Sequence, residues 1–195
     1  YMLKIEYVGS NFVGWQIQKN GVSIQQKIEK SLYKILRKKI KIIGAGRTDK
    51  GVHARAQYAN FKIDKKINDK KSFINSINFF LKKSFITIID IKRKNLNFHS
   101  RHSAKERIYE YVIINRLGSI SIDRDRAWHI RKKLDLKLLK KGAKILKGTH
   151  DYSTFRASSC SAKSPIRKIN FIKVFYKGDK ISILIKSKSF LQNQV

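Results

Sequence analysis

The stretch "IIGAGRTDKGVHARAQYANF", residues 42–61, decides between two architectures. If its glycines cradled phosphate, a helix would come next and the chain would belong with parallel α/β proteins. A Walker loop needs Gly, four residues, then Gly-Lys-Ser/Thr. Gly46 and Gly51 have that gap, but Val52 and His53 stand in the Lys and Ser/Thr places. A dinucleotide fingerprint needs a third glycine where Asp49 stands, and a carboxylate there would repel phosphate. Beyond the glycines the chain runs into "QYANFKI", with Ala59, Phe61 and Ile63 on one face of a strand. The stretch is therefore strand, loop, strand.

Working outward, residues 2–8, "MLKIEYV", alternate as a strand, and the loop "GSNFVGWQIQKNGV" comes after them. "SIQQ" supplies a capping box, with Ser23 as N-cap and Gln26 reaching back. Ile24, Ile28, Leu32, Ile35 and Leu36 then recur at helical spacing, which predicts an amphipathic helix over 24–38. "IKIIG" is a short strand. "DKKSFINSINFFL" carries Phe73, Ile77, Phe80 and Leu81 on a second helical stripe, and "FITIIDI" is a strand again. The order is βαββαβ, the ferredoxin-like plan.

The plan begins again after residue 106. "RIYEYVII" reads as a strand with Tyr109, Tyr111 and Ile113 on one face, and "AWHI" is a candidate extra strand. Leu134, Leu138, Leu139, Ile145 and Leu146 mark a helix. "KINFIKVFY" and "KISILIK" form a hairpin around "KGDK". "SFLQNQV" reads as the first turn of a helix, with the closing helix and strand of this half expected beyond it. The fold class is α+β. An N-terminal half spans 1–92, a basic linker 93–106, and an incomplete C-terminal half 107–195.

Among 195 residues, 45 Lys+Arg face 13 Asp+Glu, a formal charge of +32. Part of that excess reflects a Lys-, Ile- and Asn-rich composition, yet the field still favours an anionic partner, nucleic acid foremost. Cys160 is the only cysteine and the five histidines lack zinc-like spacing, so neither a disulfide nor a metal site is expected. No apolar run approaches a membrane span, and Lys4 and Glu6 interrupt any secretion signal. A soluble, cytoplasmic protein is expected. Asp49, on a glycine-bounded loop amid positive charge, has two readings: a residue that closes a turn, or an ionised nucleophile or base.

Read whole, "GRTDKGVHA" resembles the active-site motif of the TruA-type tRNA pseudouridine synthases. "EYVGSNFVGWQ", "SIQQKIEKSL", "FHSRHSAKERIYEYVI", "LKGTHDYSTFR", "SPIRKI" and "KSFLQNQV" resemble further blocks of that family in the same order. The resemblance implies cofactor-free isomerisation of uridine to pseudouridine at positions 38–40 of the tRNA anticodon stem-loop. It also implies a homodimer whose ferredoxin-like halves share one continuous antiparallel sheet, with helices on one face. Asp49 would be the catalytic carboxylate. Arg47 would hold phosphate and take the place of the flipped base, and Tyr109 would stack on that base. His53 and Arg156 are assigned to loop ordering or RNA contact, with His150 and Asp151 as lesser RNA candidates. Phe155 is expected to pack between the halves before contacting RNA, and Trp15 is expected as a buried anchor. The sequence departs from the family at Tyr7-Val8-Gly9, where an acid is usual, and at "FLKKSF". The family's next motif residue after "FLQNQV" is an arginine expected to pair with the aspartate, so weak activity is expected from these 195 residues alone. Without catalysis the same features would suit an RNA-binding module. Charge alone would also suit a duplex-DNA binder.

Overall fold

The computed structural model describes residues 1–195, which divide into two compact units, Tyr1–Ala104 and Lys105–Val195. In the first, β1 (Met2–Tyr7), α1 (Ile24–Leu36), β2 (Ile43–Gly44), β3 (Ala54–Asn60), α2 (Lys70–Leu81) and β4 (Ile86–Lys92) run in that order. The strands lie as β2-β3-β1-β4, and every pairing is antiparallel. That is the ferredoxin-like order expected from the periodicities.

Each helix forms where a polar cap meets an apolar stripe. Ser23 Oγ accepts from the Gln26 N–H at 3.1 Å, a cap worth about 1 kcal/mol. Arg37 closes α1 in the left-handed region, φ 53°, donating its N–H to Tyr33 O. Asp69 caps α2 by accepting from the Ser72 N–H at 3.0 Å. Ile24, Ile28 and Leu32 of α1 and Phe73, Ile77 and Leu81 of α2 are buried on one core with Leu3, Ile5 and Ile88 of the sheet. Each such side chain contributes about 1.5–3 kcal/mol of burial. Both helices thus cover one sheet face. Phe80, expected on the buried stripe, is exposed beneath Lys34 Nζ, 4.9 Å from its ring centre. The stripe that closes runs 73, 77, 81, one residue per turn.

A single helical turn, α3 (Ser100–Ser103), lies within the stretch read as linker. The second unit contains β5 (Arg107–Asn115), β6 (Trp128–Ile130), α4 (Leu136–Ile145), β7 (Gly148–Asp151), β8 (Ile166–Lys177) and β9 (Lys180–Ser187). Its sheet is ordered β6-β5-β9-β8-β7. The expected hairpin is present, turning at Gly178 with φ 58°. The extra strand β6 is present too, but it pairs parallel to β5, the one exception to antiparallel pairing. β7 adds an unforeseen edge.

Two expectations fail here. "SFLQNQV" is not helical: Asn193 has φ 63°, and the Leu191 N–H donates to Gln194 Oε1 at 2.8 Å, closing a turn instead. On α4, Leu138 and Ile145 are exposed, whereas Leu134, Leu136, Leu139 and Ala143 pack inward. Leu134 precedes the helix, whose cap is Asp135, accepting from the Lys137 N–H at 2.7 Å. No helix is long and apolar enough to cross a membrane.

Candidate active site

The loop joining β2 to β3 carries Arg47, Asp49 and His53. Its form depends on a turn at residues 49–52. The Val52 N–H donates to Asp49 O at 3.2 Å, and Gly51 at φ 79° occupies the third turn position, where a positive φ favours glycine. The carboxylate of Asp49 and the guanidinium of Arg47 are both exposed, and neither has a hydrogen bond or ion pair.

The backbone beneath them is held from every side. Thr48 Oγ1 lies 2.8 Å from Tyr7 Oη, at the end of β1. The Trp15 N–H donates to Thr48 O at 3.0 Å. The Gly9 N–H donates to His53 Nδ1 at 3.1 Å. Gln57 Nε2 donates to Gly46 O at 2.9 Å, and the Ala45 N–H to Tyr58 O at 2.7 Å. Close approach demands glycine twice. A Cβ on Gly9 would fall 2.1 Å from Val52 O, and one on Gly14, at φ 115°, would fall 2.7 Å from Thr48 O. Trp15 is buried beside Tyr7, with ring centres 6.1 Å apart. An unshielded carboxylate on a braced backbone can be presented at low reorganisation cost to a reacting group.

The second unit holds the other candidates. Tyr109 is half-buried on β5 and meets Phe190 edge-on, at 5.3 Å and 86°. Both pack against Tyr152, Ile169, Ile185 and Leu191. Tyr111, on the same side of the strand, is exposed beside Trp128. Arg156 Nη2 donates to Cys160 O at 3.2 Å. The loop after it is tied to the chain end, because the Ala157 N–H donates to Gln192 O at 3.1 Å. The Cys160 thiol is held below its usual range by the backbone N–H groups of Ala162 and Gln192, with Arg156 and Arg167 adding positive charge. Asp151 is likewise lowered, chiefly by the Ser153 hydroxyl and then by the Ser153 N–H. Tyr109 and the Arg156 loop thus border one cluster, while Phe155 stays exposed against Tyr152.

Comparison with known proteins shows the family of the chain. Residues 4–103 and 143–195 match the family model described as tRNA pseudouridine synthase. The chain belongs to that family. Its members are isomerases, and this chain shares their α+β plan. It is 52% identical over 195 residues to tRNA pseudouridine synthase A of Pelagibacter ubique (strain HTCC1062), covering 100% of this chain and 79% of the relative. It is 40% identical over 198 residues to the protein of that name from Ehrlichia ruminantium (strain Gardel), with 100% and 79% covered. The corresponding protein of Parvibaculum lavamentivorans is 39% identical over 195 residues, again with 100% and 79% covered.

The supports of the loop were the part that sequence reading missed. Tyr7, Gly9, Gly14 and Gln57 act on it from 11 to 44 residues away. The one visible signal was the pair of glycines in "VGSNFVGW".

Proposed function

We propose that this chain converts uridine to pseudouridine in tRNA, at positions 38–40 of the anticodon stem-loop, with Asp49 as the catalytic carboxylate. In the reaction the bond from C1′ to N1 breaks and one from C1′ to C5 forms. N1 gains a proton and C5 loses one, so the conversion is a balanced isomerisation. A carboxylate can serve it by attacking the ring or sugar, or by relaying the proton. The observation that carries the reading is the bare Asp49 carboxylate on a backbone braced by Tyr7, Gly9, Trp15 and Gln57.

The target base must leave its stack, at a cost of a few kcal/mol. Arg47, equally exposed and unpaired, is suited to the phosphate of the extruded nucleotide. Tyr109 offers a ring on which detached uracil can turn, since stacking holds a base without fixing its direction. His53 and Arg156 serve as loop-ordering residues, as their bonds to Gly9 and Cys160 support. A cytoplasmic homodimer completes the reading.

The test is Asp49→Ala in the full-length protein, scored by tRNA binding and by nucleotide-resolution pseudouridine mapping. Retained binding with no pseudouridine is expected. Undiminished isomerisation would remove Asp49 from catalysis, and pseudouridine elsewhere in the tRNA would refute the assigned positions. Binding without any isomerisation by the wild type would leave an RNA-binding module.

A further inference from the structure

The second unit contains a cavity of about 360 Å³ that owes nothing to the β2–β3 loop. Its floor is apolar, from Leu134, Leu136 and Ile181, and Tyr176 and the hairpin turn at Gly178 and Asp179 close one side. The walls are built before anything enters. Asn115 Nδ2 donates to Ile130 O and Lys132 O, both at 2.8 Å, and its Oδ1 accepts from the Leu134 N–H at 2.9 Å. Arg116 is fully engaged, with Gly118 O at 3.1 Å, Ser119 O at 2.9 Å and Asp179 Oδ2 at 2.8 Å. The Asn115 N–H reaches Asp179 O at 2.7 Å and ties the two walls together.

Within this frame Arg131 and Lys133 line the cavity with no hydrogen bond or ion pair of their own. Lys140 Nζ lies 4.9 Å from the centre of the Tyr176 ring, which forms part of the wall. The single carboxylate, Asp179, is neutralised by Arg116. An apolar floor, an aromatic wall and uncompensated cations select an amphiphilic anion, and the volume lies in the range of small-ligand sites, roughly 300–1,000 Å³. We infer that this cavity binds a nucleoside monophosphate unit, its phosphate on Arg131 and Lys133 and its base toward Tyr176 and the leucine floor. The unit comes either from a tRNA strand or from a free nucleotide. The tRNA source rests on the function proposed above, and the free-nucleotide source does not.

The experiment titrates the full-length protein with adenosine monophosphate, adenosine and inorganic phosphate, following amide NMR shifts of Asn115–Leu117 and Arg131–Leu136. Adenosine monophosphate should bind at least about tenfold more tightly than either fragment. Arg131→Ala with Lys133→Ala should weaken it by about tenfold or more, as expected for charge-assisted bonds. Lys163→Ala with Lys168→Ala, a charge-matched control elsewhere on the unit, and Asp49→Ala should not. If tRNA is the source, the Arg131/Lys133 variant also weakens tRNA binding and flattens its salt dependence by about one to two in log–log slope. If tRNA binding is unchanged, the occupant is a free nucleotide. The inference is overturned if adenosine monophosphate binds no better than its fragments, or if the variant behaves like the control. Neither result bears on Asp49, so failure here and failure of the catalytic reading are separable.

Discussion

The two units use similar plans but bury themselves differently. In the first, both helices and the sheet meet in one core, where Leu3, Ile5, Ile24, Ile28, Leu32, Ile77 and Leu81 are wholly excluded from solvent. In the second, the buried residues form two small clusters, one under α4 around Ile113, Val174 and Ile181, the other around Tyr152, Ile169 and Leu191. Leu191 of that second cluster, and Phe190 packed against it, come from the irregular segment at residues 188–195. A loop braced on a continuous core can hold a reactive group still. A small cluster offers fewer packed neighbours for that task. The Asp49 loop rests on the first kind of support and Tyr109 on the second.

The sharpest division should be in activity. Asp49 and Asp151 are both exposed aspartates, one in each unit, but Asp151 already accepts from the Ser153 N–H at 2.7 Å and the Ser153 hydroxyl at 2.6 Å. Asp49→Asn should lower the single-turnover rate by roughly 10²–10⁴-fold, the usual range for a lost acid or base. Asp151→Asn should leave that rate, at saturating enzyme, within about threefold and act on loop stability instead. Equal losses from both would mean that the bare carboxylate has no special role.

Core truncation comes next. Ile28→Ala should cost about 4 kcal/mol in denaturant unfolding, near the upper part of the range for buried aliphatics. Ile185→Ala, in the thinner cluster and 8% exposed, should cost about 2 kcal/mol. Hydrogen exchange should likewise show β5 and β9 opening before β1 and β3. A larger cost at Ile185 would contradict the proposed difference in support.

These contrasts also show what a sequence discloses. Strands β1, β3 and β4, helices α1 and α2 and the β8–β9 hairpin were legible because their apolar residues repeat at 2 or about 3.6 and their caps are local. β6 and β7 are short, and their pairing is decided by β5 and β8, far along the chain. The "SFLQNQV" segment has helical apolar spacing, but the left-handed Asn193 and the Gln194 side chain close a turn instead. At the candidate site, the loop residues were readable as one motif. Their supports were not, because a 2.8 Å contact between Tyr7 and Thr48 leaves no periodic trace.

Glycine to alanine should change sign between the units. At Gly9 a Cβ meets Val52 O at 2.1 Å, so Gly9→Ala must displace the loop. It should destabilise by about 1–3 kcal/mol and lower activity as well. At Gly142, inside α4, nothing lies within 4 Å of the added Cβ. Gly142→Ala should therefore stabilise the second unit by up to about 1 kcal/mol through helix propensity, read as a raised Tm.

The smallest effect is electrostatic, and it separates one aspartate of each unit by mechanism. Asp64, in the first, is held below the usual carboxylate range by its hydrogen bond to Lys38 Nζ at 2.7 Å and by that lysine's charge. Asp151, in the second, is lowered mainly by two uncharged donors of Ser153, with Arg156 a lesser contributor. In both, the folded pKa lies below the unfolded one, near 3.9. Their contribution to stability is therefore present above that pH and disappears as pH falls through the folded pKa. Salt should distinguish them. At 1 M the Debye length is about 3 Å, so carboxylate NMR should show Asp64 returning toward its ordinary pKa while Asp151 moves little. Ser153→Ala should raise the Asp151 pKa at every salt concentration. The accompanying Tm difference from wild type should be present at pH 7, begin to fade below about pH 4 and vanish once the folded carboxylate is protonated as well. A difference of equal size at pH 7 and pH 3 would show that the serine supports its loop by packing and not through the carboxylate. The contrast between a charge-held Asp64 and a dipole-held Asp151 would then fail.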